Sequence, residues 1–200
     1  VQPPTCNGDT DGSISVQVEI GNNPITYDWG SGPQSNNVLS NIGAGMYSVT
    51  IVDGTGCTGE FNIEVQDFPV LEVDLDGVNI SCFGETDGSV LATPSGGADG
   101  YIYNWDNNSS NPEIVNLPAG PYEITITDSN GCTIVENIEI EEPPELFLNL
   151  DDLGDVLCHG DKTGFINVSA SGGTPAFEYT INGVDFQSSP DFINLPAGNY

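Results

Sequence analysis

The chain carries a single basic side chain, Lys162, and no arginine, against thirty aspartates and glutamates. Its formal net charge is −29. A surface of that sign repels phosphate backbones and anionic headgroups, which argues against nucleic acid or acidic lipid as a partner. Trypsin-like proteases find almost no site. There is one histidine, His159, and no Ser or Asp around it has the spacing of a nucleophile and its base. Hydrophobic runs are short, and none reaches the length of a membrane span. The opening Val1-Gln2-Pro3-Pro4 has neither a basic end nor an apolar segment, so targeting signals were removed or lie outside this window. Gly96-Gly97 and Gly172-Gly173 lead into no helix and have no basic neighbour, so they are turn glycines rather than phosphate loops.

What is present points to strands. The 25 glycines and 14 prolines oppose long helices and suit many short strands joined by turns. Apolar residues fall in regular alternating runs, which disordered acidic tails lack. The chain also repeats itself. Cys6, Cys82 and Cys158 are spaced by 76 and 76, as are Tyr27, Tyr103 and Tyr179; Tyr47, Tyr122 and Tyr200 are spaced by 75 and 78. Cys6-Asn7-Gly8-Asp9-Thr10-Asp11-Gly12 matches Cys82-Phe83-Gly84-Glu85-Thr86-Asp87-Gly88, with a weaker copy from Cys158. Tyr27-Asp28-Trp29 matches Tyr103-Asn104-Trp105; Ile181 takes the Trp position in the third copy. Blocks aligned at one period define tandem modules of about 75 residues. Their expected bounds are 1–68, 69–143 and 144–200. The first module lacks its first strand or begins differently, and the third is truncated.

The second repeat predicts six strands, at 71–75, 89–93, 101–105, 113–117, 122–127 and 133–140, with Asn130-Gly131 in a tight hairpin turn. The fold class is all-β: tandem Ig-like β-sandwich modules. Trp29, Trp105, Tyr47 and Tyr122 are expected core aromatics. If strands reverse direction in turn, the second and sixth begin at the same end. That would bring each repeat's two cysteines together, 51 residues apart in the first repeat and 50 in the second. The expected staples are therefore Cys6–Cys57 and Cys82–Cys132, each closing a loop worth roughly 4 kcal/mol, with the partner of Cys158 outside the chain. A metal site would want cysteines in close pairs or near histidines. Persistent disulfides imply an oxidising, extracellular setting. Pro69, Pro143 and Pro144 mark junctions with little slack, which suits a semi-rigid rod.

The acids leave two readings. Asp9 and Asp11 recur as Glu85 and Asp87, Asp53 recurs as Asp128, and Glu141 and Glu142 crowd the second junction. Such carboxylates could hold Ca2+. They also suit solvated faces and turns, where an aspartate bonds its own backbone. No stretch carries a full EF-hand loop.

Taken together, these blocks resemble the SprB-type repeat. Its pattern is Cys-x-Gly-x-x-x-Gly, then Tyr-x-Trp, then Leu-Pro-Ala-Gly-x-Tyr, then Asp-x-x-Gly-Cys before a Pro-rich junction. In the second repeat these are Cys82, Gly84, Gly88; Tyr103, Trp105; Leu117, Pro118, Ala119, Gly120, Tyr122; Asp128, Gly131, Cys132. The first repeat departs at Ile42-Gly43, the third at its missing Trp. The resemblance implies a segment of a very large cell-surface protein of Bacteroidota, including gliding-motility adhesins, exported by type IX secretion. The expected role is a non-enzymatic stalk or filament. Its partners would be neighbouring repeats, and surface polysaccharide or other copies of itself. The alternatives are a glycan- or protein-binding module and an accessory array of a secreted hydrolase.

Overall fold

The computed structural model describes all residues from 1 to 200. Fourteen strands and no helix make up the chain. The first repeat holds β1 (Gly12–Ser15), β2 (Thr26–Asp28), β3 (Val38–Ile42), β4 (Gly45–Val52) and β5 (Thr58–Val65). The second holds β6 (Glu72–Val78), β7 (Gly88–Ser95), β8 (Ile102–Trp105), β9 (Glu113–Leu117), β10 (Gly120–Thr127) and β11 (Thr133–Ile140). The third holds β12 (Phe147–Gly154), β13 (Gly164–Ser171) and β14 (Asp191–Leu195). All six strands expected in the second repeat form. In the first repeat the missing first strand is reduced to a bridge between Gln2 and Ser13.

Each complete repeat divides its strands between two sheets. The sheets are β1-β3 and β2-β4-β5 in the first repeat, and β6-β7-β9 and β8-β10-β11 in the second. The third repeat contributes β12-β13-β14. In the first repeat the two sheets face each other across a core. Alternation along β4 turns Val49 and Ile51 inward, where Val49 is fully buried and packs with Tyr27. Ile14 and Ile42 from one sheet meet Val65 from the other. This is the layered packing of an Ig-like sandwich. The corner into the fifth strand is also of that kind: the Tyr47 hydroxyl donates to Gly43 O at 2.9 Å, and Tyr200 to Pro196 O at 2.9 Å. A left-handed asparagine precedes the corner in each repeat, at Asn41, Asn116 and Asn194; asparagine tolerates that backbone better than most residues.

The four aromatics expected in the core differ in burial. Trp105 is 1% exposed and its indole donates to Asn111 O at 2.9 Å. Tyr122 is buried, while Trp29 and Tyr47 are half-buried against the first repeat's core.

Strand direction corrects the disulfide expectation. β1 and β3 are antiparallel, as are β2 and β4, and β4 and β5. Gly12, at the start of β1, pairs with Ile42 at the end of β3. Gly45, at the start of β4, pairs with Val65 at the end of β5. β2 and β3, the third and fourth strands of the six-strand repeat, therefore run the same way, because the link over residues 29–37 crosses between sheets without reversing the chain. β5, the sixth strand, ends where β1, the second, begins. Cys57 immediately precedes β5, so it stands a full strand, roughly 25 Å, from Cys6. A disulfide needs Cα atoms within about 7 Å.

By packing, the chain forms two compact units. One comprises Val1–Asp76, Leu91–Pro112 and Tyr122–Ile138; the other comprises Gly77–Val90, Glu113–Pro121 and Glu139–Tyr200. Each contains one junction between consecutive repeats.

Candidate functional site: the cysteine junction between repeats

The first junction is built from two turns. One follows Cys6: Asp9 N donates to Cys6 O at 3.0 Å, and Thr5 donates its amide (2.8 Å) and its hydroxyl to the Asp11 carboxylate. Thr5's hydroxyl and then its amide hold the Asp11 carboxyl below its ordinary range. This turn is pinned to the end of its own repeat. Asn7 Nδ2 donates to Phe68 O at 2.7 Å, and Gly8 N to the Asp67 carboxylate at 3.0 Å.

The other turn is the hairpin that carries Cys132. Its organiser is Asp128, 3% exposed. The Asp128 carboxylate accepts from Ala98 N, Asn130 N and Cys132 N, each at 2.9 Å. Burial pushes the Asp128 carboxyl up, but the amides of Ala98, Cys132, Asn130 and Gly131 outweigh it, and the net shift is downward.

These turns meet. Cys6 and Cys132 form a disulfide, with Cα atoms 5.7 Å apart and a sequence separation of 126. Asn130 Nδ2 donates to Thr5 O at 3.0 Å beside the bond. The staple thus joins the first cysteine of one repeat to the second cysteine of the next. Cys57, Cys82 and Cys158 are unpaired and exposed. The expected pairs Cys6–Cys57 and Cys82–Cys132 do not form; the crossing between sheets puts each repeat's two cysteines at opposite ends. In the second repeat, Gly84 N donates to Glu142, beyond the end of β11, whereas Cys132 stands before its start.

The linker is clamped at the same place. Gly97 N donates to Pro69 O at 2.9 Å, and Ser129 N to Ala98 O at 3.4 Å. Gly96 has φ +71°, and a Cβ there would lie 1.8 Å from Val70 O, so the linker leaves room only for glycine. The second junction repeats the device. Gly173 N donates to Pro144 O at 2.7 Å, and a Cβ on Gly172 would lie 1.8 Å from Glu145 O. The sequence offered a signal for this clamp: Ser-Gly-Gly recurs at 95–97 and 171–173, 76 residues on, as Pro69 recurs at Pro144, 75 residues on.

The acids singled out as calcium ligands serve these turns. Asp53 repeats the role of Asp128, accepting from Thr55 N and its hydroxyl, Cys57 N and Asn22 N. The Thr55 hydroxyl, then the amides of Asn22, Cys57 and Thr55, hold the Asp53 carboxyl well below the usual range. Asp87 repeats Asp11, lowered by the hydroxyl and then the amide of Ser81. Asp9 and Glu85 contribute backbone amides to Cys6 O and Cys82 O. Glu141 N donates to Asn79, and the Glu142 carboxylate accepts from Gly84 N. Three or more His, Cys, Asp or Glu side chains are nowhere gathered as a metal would need.

The fold and junction define a class: tandem Ig-like repeats with a covalent staple from one repeat to the next. The chain belongs to the SprB repeat family, whose pattern matches residues 1–34, 76–110 and 151–186, just over half of its length. It is a set of repeat modules of the kind found in cell-surface proteins, and none of its elements is a helix long and apolar enough to cross a membrane. No curated protein matches it as a relative. Among solved structures it is similar to the amphioxus IgVJ-C2 molecule, at 13% identity and TM-score 0.32, over 67% of this chain and 97% of that one. It is also similar to a C-terminal 282-residue fragment of intimin solved with the intimin-binding domain of the translocated intimin receptor, at 17% identity and TM-score 0.34. That match spans 70% of this chain and 59% of the intimin fragment.

Proposed function

We propose that the chain is a load-bearing segment of the stalk or filament of a large repetitive cell-surface adhesin. The single observation that carries this is the Cys6–Cys132 bond between consecutive repeats. A bond within one repeat stabilises that repeat alone. A bond from one repeat to the next takes the place of the linker as the path for force. The clamps on Pro69 and Pro144 leave the linkers short and held. The net charge of −29 keeps such a segment soluble and disfavours side-to-side association. Neighbouring repeats are its first partners. Adhesion to surface polysaccharide by other parts of the parent protein, a gliding role and export by type IX secretion are readings that family membership supports.

Immunogold labelling of the parent protein on intact cells, with an antibody raised against this chain, tests the proposal. Label is expected along a surface filament, and the purified chain should bind no surface polysaccharide saturably. Label confined to a secreted hydrolase, or saturable glycan binding by the chain, would overturn the stalk reading.

A further inference from the structure

Two apolar grooves lie beside unpaired cysteines. In the first repeat, a groove of about 640 Å³ runs along Val16, Val18, Ile25 and Ile63, with Cys57 among its lining residues. In the unit holding the third repeat, a groove of about 1340 Å³ is lined by Leu150, Val168, Ala170, Phe177 and Phe192, with Cys82 at its edge.

The repeat pattern explains the larger groove. The third repeat has its first, second and fourth strands as β12, β13 and β14, and a Tyr179–Gln187 bridge in place of the third. Tyr200 corresponds to Tyr47, near the start of β4. In the first repeat, Val49 and Ile51 of β4 and Val65 of β5 fill the core. In the third, Leu148 and Leu150 are 69% and 62% exposed. The corner that launches the fifth strand is already formed, since Tyr200 bonds Pro196 as Tyr47 bonds Gly43.

The cysteine turns are also ready-made. Cys82 sits in the turn that Cys6 occupies: Glu85 N bonds Cys82 O, Ser81 N bonds Asp87, and Gly84 N bonds Glu142. Cys57 sits in the hairpin that Cys132 occupies, organised by Asp53 as that one is by Asp128.

We propose that the large groove takes a strand pair of the β4–β5 type continuing the repeat beyond Tyr200, and that the cysteine opening its second strand bonds Cys82. By the same rule Cys57 would pair with the first cysteine of a repeat placed before it, and Cys158 with the second cysteine of a repeat placed after it. The inference rests on the junction geometry and holds whether or not the array bears load.

The chemistry is thiol–disulfide exchange with a small-molecule disulfide as oxidant. The Cys82 thiolate attacks one sulfur of oxidised glutathione, and one glutathione thiolate leaves. The incoming cysteine, as thiolate, attacks the mixed disulfide at the Cys82 sulfur, and the second glutathione leaves. Two protein thiols are oxidised and one small disulfide is reduced to two thiols.

The test extends the full chain with its own sequence. Residues 123–144, appended after Tyr200, place a cysteine ten residues on, as Cys132 stands ten after Tyr122. A second extension appends residues 48–69 from the first repeat. Each is refolded in a glutathione redox buffer, alkylated, cut at acidic residues without reduction and mapped by mass spectrometry. The new cysteine should join Cys82, the Cys6–Cys132 bond should persist, and alkylation of Cys82 alone should fall at least tenfold. Joining of the new cysteine to Cys158 in either extension overturns the proposal. So does undiminished alkylation of Cys82 in both.

Discussion

At the scale of single residues, the junction depends on aspartates that substitute for backbone partners. Asp128 is buried and accepts three amides, and Asp53 does the same work beside Cys57. Replacing Asp128 with Ala leaves the amides of Ala98, Asn130 and Cys132 without their acceptor, which should cost about 2–3 kcal/mol in urea denaturation. The pH dependence has a definite sign. The Asp53, Asp128, Asp11 and Asp87 carboxyls all lie below their ordinary value of 3.8 in the folded chain. Their contribution is complete above that value and is lost as pH falls through the lowered ones. The melting temperature should therefore fall as pH drops below about 3.8. In the combined Asp53→Asn and Asp128→Asn variant that acid limb should be shallower. A profile that kept its full acid limb in that variant would mean these turns do not set acid stability.

At the scale of elements, most of the fold was legible. Period-two alternation such as Tyr122-Glu123-Ile124-Thr125-Ile126 marks a half-buried strand because successive side chains face opposite ways. Every expected strand of the second repeat formed on such a pattern or beside a turn signal. The cysteine pairing was not legible, for a reason that lies between elements. Strand sequences carry alternation but not direction, and a link that crosses between sheets, such as residues 29–37, looks like any other loop. One missed crossing inverts the end at which Cys57 stands. The acids were legible as recurrent but not as to use; only the amides around Asp53 and Asp128 show what their oxygens accept. With those lone pairs engaged by backbone, excess chelator should leave the melting curve of the chain unchanged. A fall of several degrees on chelation would mean that cations bridge the junction carboxylates, since a ligand bound only to the folded form adds stability by mass action.

At the scale of the whole chain, the staple alters how length and load are distributed. In the chain-entropy picture a loop of 126 residues is worth about 5 kcal/mol, more than a loop closed inside one repeat. Its mechanical effect is larger. Force entering at the N-terminus crosses from Cys6 directly to Cys132 and then runs on from β11, so everything between the two is outside the load path. At about 3.4 Å per extended residue, the bond withholds roughly 430 Å of contour from a fully unfolded chain. Two staples closed within repeats would instead withhold the 51 and 50 residues they enclose, roughly 340 Å. Single-molecule pulling between the chain's two ends separates these cases. Reduction should lengthen the unfolded contour by about 430 Å, and the Cys132→Ser variant should reach that full length without reduction. Cys57→Ser should behave as the parent chain does. A gain near 340 Å, or a Cys57→Ser variant that lengthens under oxidising conditions, would return the staples to the interior of each repeat. An array would then stretch repeat by repeat through its linkers, rather than through bonds that join one repeat to the next.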